Sequence, residues 1–140
     1  MSRVFWDTNL FIYLFEGEGA ILKRVSGLRQ SMLARGDQLV TSAFTLGEIL
    51  VKPVEKEDAE LAREYVEAIT ATALILPFDA KCATIYASLR CDRSLKPQDA
   101  IQLACAAEFG VDLFITNDAR LSRRSVRGIQ FIVPLERAPL

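Results

Sequence analysis

The sequence predicts an α/β domain, a three-layer α/β/α sandwich around a mainly parallel central sheet. Short apolar runs, typical of buried strands, alternate along the chain with longer segments of helical periodicity. The hydrophobic fraction of 51%, with only seven glycines and five prolines, excludes a disordered or fibrous chain. A length of 140 residues, without a linker, an internal repeat or a low-complexity segment, is typical of one domain, which we expect over 1–140.

The first quarter of the chain predicts one strand and two helices. Val4–Trp6 is a short apolar run and is expected to be a buried strand. Leu10–Phe15 has a helical pattern, which Gly17 and a second glycine two residues later interrupt. Apolar side chains then recur at helical spacing from 21 to 32, and the turn signal Gly36-Asp37 ends this second helix.

The next segment predicts two strands separated by two helices. Leu39–Thr41 and Leu74–Leu76 are short apolar runs and are assigned as the second and third strands. Between them, Ala43–Lys52 is expected to be a helix that Pro53 ends. A further amphipathic helix is predicted over 55–72.

The last part of the chain predicts two helices and then two strands. Asp79 is a good N-cap for a helix that runs to position 89. Pro97–Phe109 is expected to be a helix, because proline suits a first turn and glycine follows at 110. This helix is apolar on nearly every face, which indicates a central, buried position. Leu113–Thr116 and Gln130–Val133 are the fourth and fifth predicted strands.

The composition excludes several kinds of chemistry. The sequence contains no histidine, which excludes Ser-His-Asp and Cys-His nucleophilic machinery and every zinc site that requires imidazole. A net charge of −1 argues against indiscriminate binding of polyanions but leaves a local basic patch open. Catalysis, if present, must therefore use carboxylates, hydroxyls, amines or thiols.

The cysteines and the N-terminus indicate a cytoplasmic protein. Cys82, Cys91 and Cys105 are odd in number and match no C-x-x-C pattern, so buried structural thiols in a reducing compartment are expected for the first and last of them. The N-terminus lacks a signal-peptide core, and no 18-residue apolar span occurs. We therefore expect a chain that does not enter a membrane.

Four acidic residues fall where an open α/β sheet places its ligands, beyond the carboxyl ends of the strands. Asp7 follows the first strand and Asp118 follows the fourth. Asp99 lies in the first turn of the buried helix, and Glu48 lies in the helix after the second strand. Four converging carboxylates need a counter-ion, and Mg²⁺ or Mn²⁺ prefers such oxygen ligands. A bound cation of this kind supports attack of water on a phosphodiester without histidine.

Each acidic residue also has a purely structural interpretation. Asp7 could cap the helix that follows it, and Glu48 stands three residues after Thr45, as in a capping box. The helix macrodipole favours an acid at Asp99, and Asp118 could simply begin a turn. The four acids together at matching positions favour the functional interpretation.

A basic run follows Asp118 and has two interpretations. It consists of four arginines, of which the first three are the candidate contacts to a phosphate backbone: Arg120, Arg123, Arg124 and Arg127. Such a run is either a solvated surface or a set of contacts to a phosphate backbone beside the acidic centre.

Three segments and one further acid resemble the signature blocks of PIN-domain nucleases. The segments are Val4–Asn9, Pro97–Ala104 and Phe114–Asp118, and Glu48 matches the remaining acid. The resemblance covers essentially the whole chain, in order, and the size is most similar to VapC-type toxins of type II toxin–antitoxin pairs. It implies a Mg²⁺- or Mn²⁺-dependent endoribonuclease, a homodimer, and a small cognate antitoxin whose tail covers the acidic groove.

The resemblance also implies roles for single residues. Asp7, Asp99 and Asp118 match metal ligands, the last of them direct or through water, and Glu48 matches a residue that positions a water or a base. The polar positions of the blocks are expected to donate hydrogen bonds next to these ligands: Thr8, Asn9, Thr116 and Asn117.

Two other classes of protein stay open from the sequence. A phosphatase or phospho-acceptor α/β domain also gathers acids at strand ends, although Asp7 is followed by Thr8 and Asn9 rather than by a second aspartate two positions on. A catalytically inactive PIN-like module that binds RNA or protein would keep the same fold. Labelling of Asp7 by a phosphate donor would distinguish the first, and a metal-binding measurement the second.

Overall fold

A parallel sheet runs through the middle of the computed structural model, which describes residues 1–139. Within this part of the chain the strands are β1 (Arg3–Trp6), β2 (Gln38–Ser42), β3 (Leu74–Leu76), β4 (Val111–Thr116) and β5 (Ile129–Pro134). The helices are α1 (Thr8–Glu16), α2 (Gly19–Arg35), α3 (Ala43–Glu55), α4 (Ala59–Thr72), α5 (Ala80–Leu89) and α6 (Pro97–Phe109). Single 3₁₀ turns lie at Leu121–Arg123 and Leu135–Arg137.

The strand order is β3-β2-β1-β4-β5, and all four neighbouring pairs are parallel. The chain builds the sheet outward from β1 to β3, and then returns to place β4 on the other side of β1. The order therefore reverses between β1 and β4, which are paired with Phe5 opposite Phe114. In open parallel sheets, a reversal of this kind opens a crevice at the carboxyl ends of the two strands.

Two apolar clusters cover the two faces of the sheet. Along β1, Phe5 belongs to the cluster that contains α5 and α6, whereas Val4 and Trp6 belong to the cluster that contains α1 to α4. This alternation follows from the two-residue period of a strand. The expected α/β/α sandwich with a parallel sheet is thereby confirmed.

The helix that we predicted to be buried, α6, has the predicted bounds and packs at the centre of its face. Its buried residues include Ala100 and the continuous run 102–107, and Gly110 ends it with φ of 81°. Asp79 caps α5 as predicted, since its side chain accepts the N–H of Cys82 at 3.0 Å.

The predicted end of α3 at Pro53 is wrong. The helix continues to Glu55, because proline removes only its own N–H from the ladder and the carbonyl of Pro53 still accepts the N–H of Asp58 at 2.9 Å. The next helix begins later than expected, at Ala59, after a turn in which Glu57 has φ of 55°. The Pro53 ring is buried, which offsets the missing hydrogen bond.

The cysteines Cys82 and Cys105 are buried free thiols, as expected, and burial raises the pKa of both. Among residues 1–139, no helix is both long enough and apolar enough to cross a membrane.

Candidate active site

Three of the predicted carboxylates lie at the point where the strand order reverses. Asp7 follows β1 directly, and its N–H donates to the carbonyl of Ile115 in β4 at 3.0 Å. Asp118 lies two residues beyond the end of β4, and Asp99 lies in the first turn of α6. Three separate segments of chain thus bring one carboxylate each to the same crevice.

Asp7 is buried and held by hydrogen bonds on both oxygens. The residue is only 8% exposed. Oδ1 accepts from the N–H of Thr8 at 2.9 Å and from Nε2 of Gln102 at 3.3 Å, and Oδ2 accepts from Oγ1 of Thr116 at 2.9 Å. Burial raises the pKa of Asp7, the negative charge of Asp118 adds to the rise, and the three hydrogen bonds oppose it.

Asp99 is half-buried and faces the same negative charges. Burial is the largest cause that raises the pKa of Asp99, and the charges of Asp7 and Asp118 raise it further. The cations Lys96 and Arg120 oppose the rise. Asp7 and Asp118 are therefore close enough to Asp99 to disfavour its ionisation. An added cation would relieve this repulsion.

A pocket of about 190 Å³ opens beside Asp99 and Asp118. Its lining combines these two acids with three cations and three other residues: Lys96, Arg120, Arg124, Ser94, Leu95 and Leu121. The pocket therefore presents carboxylates and cations side by side, which suits a phosphate ester bound together with a metal ion.

The arginines of the basic run are not equivalent. Arg120 lies 3.7 Å from Asp118, measured from Nε to Oδ1. Arg124 is fixed by Asp92 at 2.7 Å and by Oγ of Ser94 at 3.1 Å. The bonds from Ser94 and Arg124 lower the pKa of Asp92 to about 2. Arg123 lies exposed in the 3₁₀ turn and does not line this pocket.

Glu48 is exposed on α3 and joins the site through Thr8. The hydroxyl of Thr8 donates to Oε1 of Glu48 at 2.6 Å. The capping-box interpretation of Glu48 is wrong, because α3 begins at Ala43 and Oγ of Ser42 accepts the N–H of Thr45 at 3.1 Å. Glu48 thus lies in the second turn of the helix.

The four polar positions of the sequence blocks divide into two pairs. Thr8 and Thr116 contact Asp7 directly, and Oγ1 of Thr116 also accepts the N–H of Asp118 at 3.1 Å. Asn9 is exposed, and Nδ2 of Asn117 donates to the hydroxyl of Tyr13 at 2.8 Å. The threonines thus support the carboxylates, whereas Asn117 is directed toward α1.

Sequence reasoning missed a buried polar network behind the carboxylates. At its centre is Gln102 of α6, which is 2% exposed and contacts both Ser42 and Thr45. Oγ1 of Thr41 lies 2.8 Å from Oγ1 of Thr45 and donates to the carbonyl of Trp6 at 2.9 Å. The available signal was the one amide in an otherwise apolar stretch of a helix predicted to be buried.

The donor chemistry of the crevice fits a hard divalent cation. Within residues 1–139, no group of three or more His, Cys, Asp or Glu side chains is arranged as a complete metal site. Mg²⁺ does not require one, since it retains several waters and typically takes one or two carboxylates together with substrate phosphates. Asp7 and Asp99, one buried and one half-buried, are the carboxylates that would hold such a cation.

The fold and the crevice define a class of protein: a parallel α/β domain with aspartates at the point where the strand order of its sheet reverses. The PIN domain family model matches residues 4–126. The chain belongs to the PIN domain family. No curated protein sequence matches the chain at a significant level.

Solved structures with the same fold come from toxin–antitoxin complexes. VapBC2 from Rickettsia felis, bound to a DNA fragment from its promoter, has a TM-score of 0.76 at 15% identity and covers 94% of this chain and 98% of that chain. DNA-bound VapBC from Salmonella typhimurium gives 0.72 at 21% identity, with 96% and 99% covered. A toxin–antitoxin complex from Klebsiella pneumoniae gives 0.66 at 25% identity, with 90% and 94% covered.

Proposed function

We propose that this protein is a Mg²⁺- or Mn²⁺-dependent endoribonuclease and the toxin of a toxin–antitoxin pair. The proposal rests on one observation. Asp7, Asp99 and Asp118 reach the same crevice from three separate segments, and burial together with the charge of Asp118 raises the pKa of the first two. Several carboxylates gathered at one partly buried site are costly to the fold unless a cation is bound there.

The residues divide into those that would hold the cation and those that orient them. Asp7 and Asp99 would be direct ligands, and Asp118 a ligand either directly or through water. Glu48, which accepts from Thr8, would position a ligand water or a base. When bound, the cation would lower the pKa of water and offset the negative charge of the phosphate.

The cations of the pocket would hold the RNA backbone. Lys96, Arg120 and Arg124 line the same pocket as Asp99 and Asp118, so a phosphate at the carboxylates would have positive charge beside it. Arg124 is held by Asp92, which leaves Arg120 and Lys96 to adjust to the substrate. Arg123 would contact RNA only beyond the pocket.

The partner proposal rests on the solved structures of the same fold. These structures are complexes of toxins with antitoxins, and each match covers nearly all of this chain and of the matched chain. We infer that 1–140 acts as one nuclease domain in the cytoplasm, forms a homodimer, and binds a small cognate antitoxin. Light scattering of the purified chain, alone and after co-expression with a candidate antitoxin, tests both assemblies.

The central test is a Mn²⁺ titration followed by thermal unfolding. It compares the wild type with Asp99→Asn and with Glu108→Gln, an exposed acid on the same helix. At a Mn²⁺ concentration a hundred times the Kd, we expect about 2.7 kcal/mol of stabilisation in the wild type and the control, and little in Asp99→Asn. Cleavage of a total RNA preparation should follow the same order.

Other outcomes separate the alternatives. Equal Mn²⁺ stabilisation in all three proteins would remove Asp99 from the metal site. RNA binding without Mn²⁺ stabilisation and without cleavage would favour an inactive binding module.

A further inference from the structure

We propose that Gln102 is a positioning residue, which orients two carboxylates of the site: Asp7 directly and Glu48 through Thr8. This inference rests on the proposed metal-dependent function and extends it to a residue that touches neither metal nor substrate. Gln102 lies one helical turn after Asp99 on the same helix. It joins α6 to the segments that follow β1 and β2.

The contacts of the amide define its role. Nε2 lies 2.7 Å from Oγ1 of Thr45, 3.2 Å from Oγ1 of Thr8 and 3.3 Å from Oδ1 of Asp7. On the other side of the amide, Oε1 accepts from the hydroxyl of Ser42. All four partners come from outside α6, so these bonds fix the helix against two other chain segments.

The charge of Asp7 determines which way the amide faces. If the amide were reversed, Oε1 would lie about 3.3 Å from a carboxylate oxygen, and two acceptors would repel each other without a proton between them. With Nε2 toward Asp7, its two protons serve Thr45 and the Thr8–Asp7 pair. The bond from Ser42 then holds the amide in this orientation.

The same orientation directs the proton of Thr8. Because Oγ1 of Thr8 accepts from Nε2 of Gln102, its own proton is free to donate to Oε1 of Glu48, at 2.6 Å. The amide therefore contacts Asp7 directly and acts on Glu48 through the hydroxyl of Thr8. Loss of the amide would remove one of the three hydrogen bonds on Asp7 and the donor that orients the hydroxyl of Thr8.

A purely structural role for Gln102 makes a different prediction. In that case its removal would lower the free energy of unfolding but leave metal affinity unchanged. Thr41 provides the matched control, since it is equally buried and belongs to the same network but does not contact any carboxylate. A comparison of Gln102→Met with Thr41→Val thus separates positioning from packing.

The experiment measures Mn²⁺ affinity by calorimetry on the folded full-length chain, with urea unfolding of the metal-free protein alongside. We expect Gln102→Met to raise the Kd for Mn²⁺ by about tenfold or more, since residues that orient metal ligands typically contribute 10–100-fold. Thr41→Val should change the Kd by less than about threefold at a similar loss of stability. Excess Mn²⁺ should restore RNA cleavage by Gln102→Met.

If Gln102→Met does not fold, Gln102→Asn is the second variant, because it keeps an interior amide that is one methylene too short to reach Asp7. It should show the same rise in Kd. Equal Mn²⁺ affinity in wild type and a folded Gln102 variant, or an equal rise in Thr41→Val, overturns the positioning role and leaves the proposed function intact. A wild type that binds no Mn²⁺ overturns both.

Discussion

Thr116 connects two of the aspartates, and its substitution should lower the free energy of unfolding by an amount that depends on pH. Its hydroxyl donates to Oδ2 of Asp7 at 2.9 Å and accepts the N–H of Asp118 at 3.1 Å. Thr116 is fully buried at the end of β4, so water does not replace the lost contacts in Thr116→Val. Valine keeps the shape and suits a strand, which limits the change to the hydrogen bonds.

The expected magnitude follows from the charge of the partner. A hydrogen bond to a charged group contributes about 1.5–3 kcal/mol, so Thr116→Val should lower the free energy of unfolding by about 2–3 kcal/mol at a pH where Asp7 is ionised. Thr41 is as fully buried but donates to a peptide carbonyl, at 2.9 Å from Trp6 O. Thr41→Val should therefore cost only about 1 kcal/mol.

The sign of the pH dependence follows from the pKa of Asp7. Burial raises that pKa, and the bond from Thr116 is the strongest contact that opposes the rise, because it stabilises the ionised form. The bond is worth most above the pKa of Asp7 and less once the carboxyl is protonated. The stability difference between wild type and Thr116→Val should thus shrink as the pH falls through that pKa.

The assay is urea unfolding of metal-free protein from pH 8 to pH 4, for wild type, Thr116→Val, Thr41→Val and Thr116→Ser. Serine keeps the hydroxyl and should restore most of the pH-dependent part. Equal, pH-independent losses in the two valine variants would show that the bond from Thr116 does not act on an ionised Asp7, and would refute the reasoning.

Two further predictions concern the scaffold. A Cβ at Gly128, which has φ of 97°, would lie 2.5 Å from the carbonyl oxygen of Ala107. At Gly36, φ is 73° and the space is open, so Gly36→Ala should lower the free energy of unfolding by about 1–2 kcal/mol, measured in urea. Gly128→Ala should lower it several times as much. Separately, burial and the bond to Glu16 raise the pKa of Tyr65 to about 12, so Glu16→Gln should lower that pKa in an absorbance titration. An unchanged value would show that the bond to Glu16 does not contribute to the rise.

The sequence predicted most of the fold because its elements have strong local signals. Pro97 and Gly110 mark the two ends of α6, and β3 is bounded as predicted, at Leu74–Leu76. The prediction that Pro53 ends α3 was wrong because a helix can continue past a proline when the carbonyls that follow it find hydrogen-bond partners. Whether they find partners depends on the turn after the helix. Strand order depends on pairing between distant segments, such as β1 with β4, and no local pattern encodes it.

The candidate site divides along the same line. Asp7, Asp99 and Asp118 could be identified because each stands next to the end of a predictable element. The contacts of Gln102 could not, because they join residues that are up to 95 positions apart. An amide in a buried helix indicates that a partner exists, but the identity of the partner depends on how α6 packs against the sheet.

The capping interpretation of Asp7 does not account for what the structure shows. Asp58 and Asp79 are ordinary N-caps: each is exposed, and each accepts the N–H three residues later at 3.0 Å. Asp7 is buried and accepts only the N–H of Thr8 from its own helix. The pKa of Asp79 is lowered by its capping bonds, first of all that from Cys82, whereas burial raises the pKa of Asp7. Capping alone does not explain the burial of Asp7 or its hydrogen bonds to Gln102 and Thr116, and both features agree with the proposed metal site.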